Sequence, residues 1–274
     1  MKKRTKKKTI NILKTISKWA GIIIWNIIKI PYYIVKAIIW LTKKSKVKST
    51  QIRVKKERES RRAIYQQFKI VKTKSGNFKE YEKYLLSDKS KIGIILGARG
   101  TGKTAVGIKI LENIYAKNKR KLYAIGFKNE DMPSWIETIE TIDQIKNNST
   151  ILIDEGGVLF SSRRAMTNPN KMLSDLILVS RHKNLSILFI SQNSSNLDIN
   201  ILRQADYLIL KPTSLLQEDF ERKKIKNIYE ETEEDFKKNK SIKGLTYIYS
   251  EIFEGFMANP LPSFWSINIS KSFR

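Results

Sequence analysis

Short apolar runs alternate with longer stretches of helical spacing from residue 91 onwards. Runs typical of buried strands occupy residues 91–96, 122–125, 150–153, 186–190 and 207–210. Apolar positions at helical spacing predict helices over residues 105–117, 171–183, 196–204 and 216–238. Strands that alternate with helices indicate an α/β fold with a mostly parallel sheet. A last apolar stretch, residues 245–256, predicts an edge strand or a hairpin.

The N-terminal region has a different pattern. Residues 10–41 form a long run of Ile and Trp that lysines interrupt at intervals. At about 100° per residue, six lysines fall within roughly 60° of one another on a helical wheel: Lys7, Lys14, Lys18, Lys29, Lys36 and Lys43. A helix with this arrangement is typical of the membrane interface, where lysines reach phosphates and Trp19, Trp25 and Trp40 lie at headgroup depth.

Other topologies for this segment stay open. Residues 20–41 supply about the twenty residues that a membrane span needs, but Lys29 near the bilayer centre costs roughly 2.5–3.5 kcal/mol. Basic clusters flank both ends, so the positive-inside rule gives no single orientation. Pro31 kinks a helix, and a re-entrant hairpin fits the symmetric charge. A helix packed on the protein's own core is the remaining alternative, whereas a secretory signal is disfavoured by length and internal charge.

The charge distribution supports a separate basic arm. The chain has 274 residues, 53 of them Lys or Arg and 26 Asp or Glu, for a net charge of +27. Residues 1–74 hold 23 basic residues and only Glu57 and Glu59, whereas residues 75–274 have a net charge of +6. A partner rich in phosphate is implied for the arm. With no Cys, disulfide scaffolds, Cys-based zinc sites and thiol nucleophiles are excluded. A single His, His182, disfavours a His-cluster metal site and a Ser-His-Asp triad.

Three regions follow from these patterns. Residues 1–45 are the basic, membrane-associated helix, residues 46–88 a basic helical linker, and residues 89–274 the α/β domain. Ser75, Gly76 and Asn77 break the linker. The linker is equally consistent with a lipid-surface patch, a nucleic-acid contact or a solvated spacer.

A phosphate-binding motif joins the first strand to the first helix of the α/β domain. Residues 97–104 read GARGTGKT, so the order is strand, G-x-x-x-x-G-K-T, helix, which a P-loop requires. Backbone N–H groups of the loop and the helix N-terminus bind phosphate. Lys103 adds a charge for the β- and γ-phosphates, and Thr104 offers its hydroxyl to Mg²⁺. The predicted nucleotide-binding residues are Gly97, Ala98, Arg99, Gly100, Thr101, Gly102, Lys103, Thr104 and Ala105.

Polar residues follow two further strands. Asp154 and Glu155 end the strand at residues 150–153, as in a Walker B motif, so Asp154 is predicted to hold Mg²⁺ and Glu155 to orient the attacking water. Gln192 comes after the strand at residues 186–190. Since ligands of parallel sheets bind at the carboxyl ends of strands, Gln192 is a candidate sensor of the γ-phosphate. A loop-capping role for its amide is the alternative.

Residues 90–212 resemble the FtsK/HerA superfamily of P-loop ATPases, which includes viral genome-packaging ATPases and the zonular-occludens-toxin-like assembly proteins of filamentous phages. The resemblance rests on GARGTGKT, ILIDEGG and the block SRHKNLSILFISQN followed by LDINILRQADYLILK. It implies a P-loop NTPase fold, Lys103 and Thr104 as the Walker A pair, Asp154 and Glu155 as the Walker B pair, and Gln192 as the sensor. ATP and Mg²⁺ are the implied substrate and cofactor.

The family also works as a ring, usually a hexamer, in which an arginine of one subunit completes the neighbour's site. Arg181 fits that role best by position, with Arg163 and Arg164 as rivals. The phage assembly proteins carry their membrane segment after the ATPase, whereas the apolar arm precedes it here.

The expected function is therefore a membrane-attached ATPase that moves DNA, with its ATPase domain on the cytoplasmic side of a host or virion membrane. Packaging of a viral or plasmid genome is the first expectation, and capsid or membrane assembly proteins are possible partners. Export of a filamentous particle, a membrane-remodelling nucleotide switch, and a basic binding protein with an inactive site are the alternatives.

Overall fold

The computed structural model describes residues 39–154 and 169–269, together with Lys18, Trp19, Trp25 and Lys36. The chain divides into two compact units, Met1–Lys55 and Lys56–Arg274. The described residues of the first unit are helical and, except for half-buried Val54, exposed. Most of the predicted basic arm, residues 1–45, lies outside the described residues. Within the described part of the chain, no helix combines the length and the hydropathy of a membrane span.

The described residues of the second unit form one nine-stranded sheet with helices on both faces. Its strands, in chain order, are β1 (Lys69–Gly76), β2 (Ile92–Leu96), β3 (Lys121–Ile125), β4 (Ile136–Thr138), β5 (Ser149–Asp154), β6 (Ser186–Ile190), β7 (Tyr207–Leu210), β8 (Leu245–Ser250) and β9 (Phe253–Ala258). The helices are α1 (residues 39–60), α2 (Phe78–Leu86), α3 (Lys103–Asn118), α4 (Pro169–Ser180), α5 (Ile199–Arg203), α6 (Leu215–Asp219) and α7 (Lys223–Lys238).

The sheet is mostly parallel, which confirms the predicted fold class. The strand order is β1-β9-β8-β7-β2-β6-β5-β3-β4, and the block from β7 to β4 is parallel throughout. The hairpin β8–β9 joins β7 in antiparallel register, and β1 pairs with β9. The hairpin predicted over residues 245–256 is present, but β1, not the hairpin, forms that edge of the sheet.

The core lies on both faces of the parallel block. Strands β2 and β6 are buried along their whole length, because helices cover both of their faces. Helices α2 and α3 pack on one face, and α4, α5 and α7 pack on the other. Gly107 brings α3 close to the sheet, since a Cβ at this position would lie 2.9 Å from Leu152 Cδ1.

Residues 61–68, here named the strap, cross the outer side of α3 between α1 and β1. The side chains of Glu112 and Asn113 accept hydrogen bonds from the backbone N–H groups of Ile64 and Gln66, each at 3.1 Å. Asn113 Nδ2 returns a bond to Gln66 O at 2.8 Å, and Lys109 Nζ donates to Ile64 O at 3.0 Å. The strap is therefore tied to the helix that follows the P-loop.

The C-terminal segment, residues 259–269, contacts the same part of α3 and the strap. Ser263 N donates to Glu112 Oε2 at 3.1 Å, and Ser263 Oγ donates to Arg62 O at 3.1 Å. The segment predicted as a basic helical linker, residues 46–88, thus has a different structure from that prediction. It is helical only to residue 60 and then contains the strap, β1 and α2, because tertiary contacts to α3 and β9 hold its backbone.

Candidate functional site

The P-loop connects β2 to α3 through a tight turn. Gly97 and Gly102 have φ angles of +143° and +92°, in the region that favours glycine. A Cβ on Gly97 would lie 2.6 Å from Lys211 Cβ and 2.9 Å from Lys211 O, so a side chain is excluded there. Glycine therefore lets the loop pass directly against the residue that follows β7.

The N-terminus of α3 has the chemistry of an anion site. Gly102 is the N-cap and provides no side-chain acceptor for the N–H groups of the first turn. Those groups give the helix end a partial positive charge. Lys103 is buried, and its Nζ donates to Gly97 O at 2.7 Å and to Ala98 O at 2.9 Å. The loop thus encloses the ammonium group predicted to bind the β- and γ-phosphates.

Three neighbouring strands bring Asp154 and the loop that carries Gln192 to the same edge as the P-loop. Ile95 of β2 and Asp154 of β5 flank Ile190 of β6 in register. Two interstrand spacings separate Ile95 from Asp154, which is about 10 Å. Asp154 is half-buried at the end of β5, and Thr104 is half-buried in the first turn of α3. The P-loop and the Walker B aspartate therefore lie at one edge, with the end of β6 between them.

The oxygen donors at this edge suit Mg²⁺. The ion takes one or two protein oxygens and completes its shell with water and phosphate oxygens. Thr104 and Asp154 supply a hydroxyl and a carboxylate, both hard donors. Among the described residues, no group of three or more His, Asp or Glu could form an all-protein metal cage. Glu155, Arg163 and Arg164 lie outside the described residues.

Gln192 follows β6 at this edge, and its side chain is exposed. Ser191 N donates to Ile95 O at 3.0 Å, which holds the loop against β2. From α6, Gln217 Nε2 donates to Gln192 O, and Gln217 O accepts from Asn193 Nδ2 at 3.2 Å. Gln217 therefore fixes the backbone on which the predicted sensor is carried.

Arg181 lies at the other end of β6. It is exposed in the turn between α4 and β6, where Asn184 N donates to Arg181 O at 3.2 Å. β6 spans five residues, so about 17 Å separates this turn from the loop that carries Gln192. The structure does not bring Arg181 to the nucleotide edge of its own chain.

Two residues at the site were not among the predicted ones, Gln217 and Lys211. Lys211 N donates to Leu96 O at 2.8 Å, and the next residue accepts from Ala98 N through Pro212 O at 2.9 Å. Lys211 is 1% exposed, and burial lowers the pKa of its ammonium group to about 7. The one signal in the sequence is that Lys211 directly follows a buried strand, as Asp154 does. Gln217 has no such signal, because its contacts are 25 residues away along the chain.

Comparison with known families gives one match. Residues 106–209 match the family model described as zonular occludens toxin (Zot), less than half of the chain. The match begins just after the P-loop and includes Asp154, Glu155, Arg181 and Gln192. No curated protein sequence matches the chain.

Solved structures with a similar fold come from several sources. The DNA-packaging ATPase B204 from Sulfolobus turreted icosahedral virus is 15% identical with a TM-score of 0.43, over 64% of this chain and 100% of that one. The pCW3 conjugation coupling protein TcpA is 12% identical with a TM-score of 0.45, over 68% and 64%. EssC (ATPases 2 and 3) from Geobacillus thermodenitrificans is 13% identical with a TM-score of 0.40, over 69% and 43%.

The P-loop between β2 and α3, the strand order and the match over residues 106–209 agree with one another. The described residues have the P-loop NTPase fold that the motifs predict.

Proposed function

We propose that the chain hydrolyses ATP in the presence of Mg²⁺ and uses the energy to move DNA. The observation that carries the proposal is the common edge of β2, β6 and β5, where Lys103, Asp154 and the Gln192 loop meet. Hydrolysis of a phosphoanhydride needs a phosphate cradle, a metal ligand and a group that positions water. This edge provides the first two, and Glu155 follows Asp154 directly in the sequence.

Each residue has a role in this proposal. The α3 N-terminus and Lys103 bind the β- and γ-phosphates, and Thr104 and Asp154 hold the metal. Mg²⁺, when bound, offsets the negative charge of the phosphates. Glu155 orients the attacking water and accepts its proton, while Gln192 contacts the γ-phosphate or that water.

The arginine that completes the site comes from a neighbouring subunit in this proposal. Arg181 is exposed and far from its own P-loop, which is compatible with a role in trans but not in cis. Arg163 and Arg164 remain the alternatives. An arginine supplied in trans makes hydrolysis depend on subunit contact, so a homo-oligomeric ring, most simply a hexamer, belongs to the proposal.

Two further observations support the DNA and membrane parts of the proposal. The family match over residues 106–209 supports a relation to phage assembly proteins. The net charge of +27 and the basic arm favour a partner rich in phosphate. We place the ATPase domain on the cytoplasmic side of a membrane to which the arm attaches, where capsid or membrane assembly proteins are its partners. Export of a filamentous particle is the second candidate, favoured by the same family match.

Two substitutions test the nucleotide site. Lys103→Ala removes the ammonium group that binds the β- and γ-phosphates. We therefore expect the variant to lose binding of a fluorescent ATP analogue. Glu155→Gln keeps that binding but lowers the turnover number about 10²- to 10⁴-fold, since it removes the general base. Lys121→Ala, at an exposed lysine, is the control and should behave as the wild type. Unchanged turnover in Glu155→Gln contradicts the assignment of the Walker B pair.

A second experiment tests whether DNA stimulates the ATPase activity. ATPase rates of the full chain are compared with double-stranded DNA, with anionic vesicles and with neither. Stimulation by DNA that falls steeply with salt is expected for a translocase, because phosphate contacts release counterions. Stimulation by vesicles alone would favour the membrane-remodelling switch over DNA movement.

A further inference from the structure

Lys211 is enclosed by backbone carbonyls immediately behind the P-loop. It directly follows β7 and is 1% exposed. Its Nζ donates to Gly244 O and Leu245 O at 3.1 Å each, and to Asn259 Oδ1 at 2.7 Å. These three bonds use all three N–H groups of the ammonium, and all three acceptors are neutral. The ammonium group of Lys211 is therefore held by three neutral oxygen atoms, and none of them carries a negative charge.

The charge on Lys211 has no carboxylate partner in the described part of the chain. The charged side chains on the segments that enclose it are Arg99 and Lys103 in the P-loop and Lys243 before β8. Residues 212–214 and the end of β9 contribute no charged group. Burial therefore acts alone, and it lowers the pKa of Lys211 to about 7. A buried, unpaired cation is unfavourable unless something negative is nearby.

The P-loop lies directly beside Lys211, and bound phosphate would bring negative charge there. Backbone bonds join Lys211 N to Leu96 O at 2.8 Å and Ala98 N to Pro212 O at 2.9 Å. The Nζ atom would lie 3.9 Å from a Cβ on Gly102, the residue before Lys103. A triphosphate in the loop would thus place several negative charges near Lys211 in a water-poor region, where charges interact strongly.

We propose that Lys211 is a second cation of the nucleotide site, which acts through the loop without touching the phosphates and takes up a proton when nucleotide binds. The inference rests on the proposed nucleotide binding and adds a residue and a proton to it. Because bound phosphate favours the charged form, it raises the pKa of Lys211. Proton uptake on binding means that nucleotide affinity falls as pH rises above 7, by up to about tenfold per pH unit.

The chain contains a matched control for this lysine. Lys91 precedes β2 and is 3% exposed. Its Nζ donates to Ser87 O at 2.8 Å, to Leu85 O at 3.2 Å and to Tyr84 O. The pKa of Lys91 is also lowered to about 7, and burial is the largest cause of this shift. The two lysines differ in position, since Lys91 is at the opposite end of β2 from the P-loop, about 17 Å away.

The test measures proton uptake by calorimetry on the full-length wild type, Lys211→Met and Lys91→Met. A non-hydrolysable ATP analogue with Mg²⁺ is titrated at pH 8 in two buffers of different ionisation enthalpy, and affinity is followed from pH 7 to pH 9. We expect the wild type and Lys91→Met to take up most of one proton and to lose affinity with pH. We expect Lys211→Met to take up much less, to bind about tenfold more weakly at pH 7, and to depend little on pH.

Several outcomes would overturn the inference. Equal proton uptake and equal pH dependence in Lys211→Met and Lys91→Met would show that Lys211 is only structural, and so would a wild type that binds the analogue without taking up a proton. If Lys211→Met does not fold, Lys211→Arg decides: its permanent charge should keep the affinity at pH 7 and abolish the pH dependence. A wild type that fails to bind the analogue would instead refute the nucleotide site itself.

Discussion

Three buried lysines of this domain, Lys103, Lys211 and Lys91, lie in different surroundings and are expected to have different roles. Lys103 lies in the P-loop, Lys211 behind it and Lys91 at the opposite end of β2. All three donate to backbone carbonyls, yet only Lys103 belongs to a recognisable motif. The sequence could predict Lys103, Thr104 and Asp154, because strand, loop and helix follow one another within a few residues. It could not predict Lys211, since Gly97, Gly244 and Asn259 meet it only in the folded chain.

The buried Lys91 makes stability depend on pH. The pKa of Lys91 is lowered from 10.5 to about 7 in the folded chain, so between these values the unfolded chain binds more protons. The free energy of unfolding therefore rises with pH across this window, by at most about 1.4 kcal/mol per pH unit for one such lysine. We expect Lys91→Met to show a shallower rise than the wild type between pH 7 and pH 9.5, measured by urea unfolding.

Lys121→Met, at an exposed lysine, controls for the loss of a surface charge and should follow the wild type. Equal slopes in all three chains would mean that Lys91 stays protonated in the folded domain throughout this range.

At the scale of elements, the apolar runs predicted the parallel strands, since buried strands are apolar on both faces. They did not predict where α6 ends and α7 begins within the predicted helix 216–238. There, buried Glu221 accepts from Ser194 N at 2.8 Å, and Arg222 donates to Leu197 O at 2.8 Å. These tertiary bonds divide a segment whose local pattern favours one helix. The strap was missed for the same reason, because side chains of α3 hold it.

Glu112 is the residue on which the strap depends most. It is fully buried, pairs with buried Lys109 at 2.8 Å, and accepts from Ile64 N and Ser263 N. Glu112→Gln leaves the Lys109 charge buried without a counter-charge, so we expect a loss of about 3–5 kcal/mol in the free energy of unfolding. Amide exchange at Ile64 and Gln66 should accelerate, and trypsin should cleave after Arg62 more readily.

Glu80→Gln, at an exposed glutamate of α2, is the control and should change neither measurement by much. Unchanged exchange at Ile64 in Glu112→Gln would mean that the strap is held by Asn113 and the C-terminal segment instead.

At the scale of the whole molecule, most of the basic excess and the P-loop lie in different parts of the sequence. Residues 1–55 hold 16 basic residues and no acidic one, whereas the P-loop belongs to the unit Lys56–Arg274, which has its own core. Each basic residue near an anionic surface contributes about 1 kcal/mol of binding free energy. We expect removal of residues 1–45 to abolish sedimentation with anionic vesicles while Mg²⁺-dependent ATPase stays within about twofold.

Neutral vesicles provide the reference in that experiment, since they keep the apolar contribution and remove the electrostatic one. If the truncated chain still bound anionic vesicles, the membrane contact would lie in the residues after 45 and not in the arm.

The bonds of the strap also bear on how the fold would respond to a pull on its N-terminal side. A tether pulling on the N-terminal side meets the bonds from Ile64 and Gln66 to α3 before it meets β1. Lys109 is six residues from Lys103, about 9 Å along the helix. The acceptors Glu112 and Asn113 lie nine and ten residues after Lys103, about 13–15 Å along the helix. A pull on the N-terminal side and phosphate in the P-loop would therefore act on one helix, at points less than three turns apart.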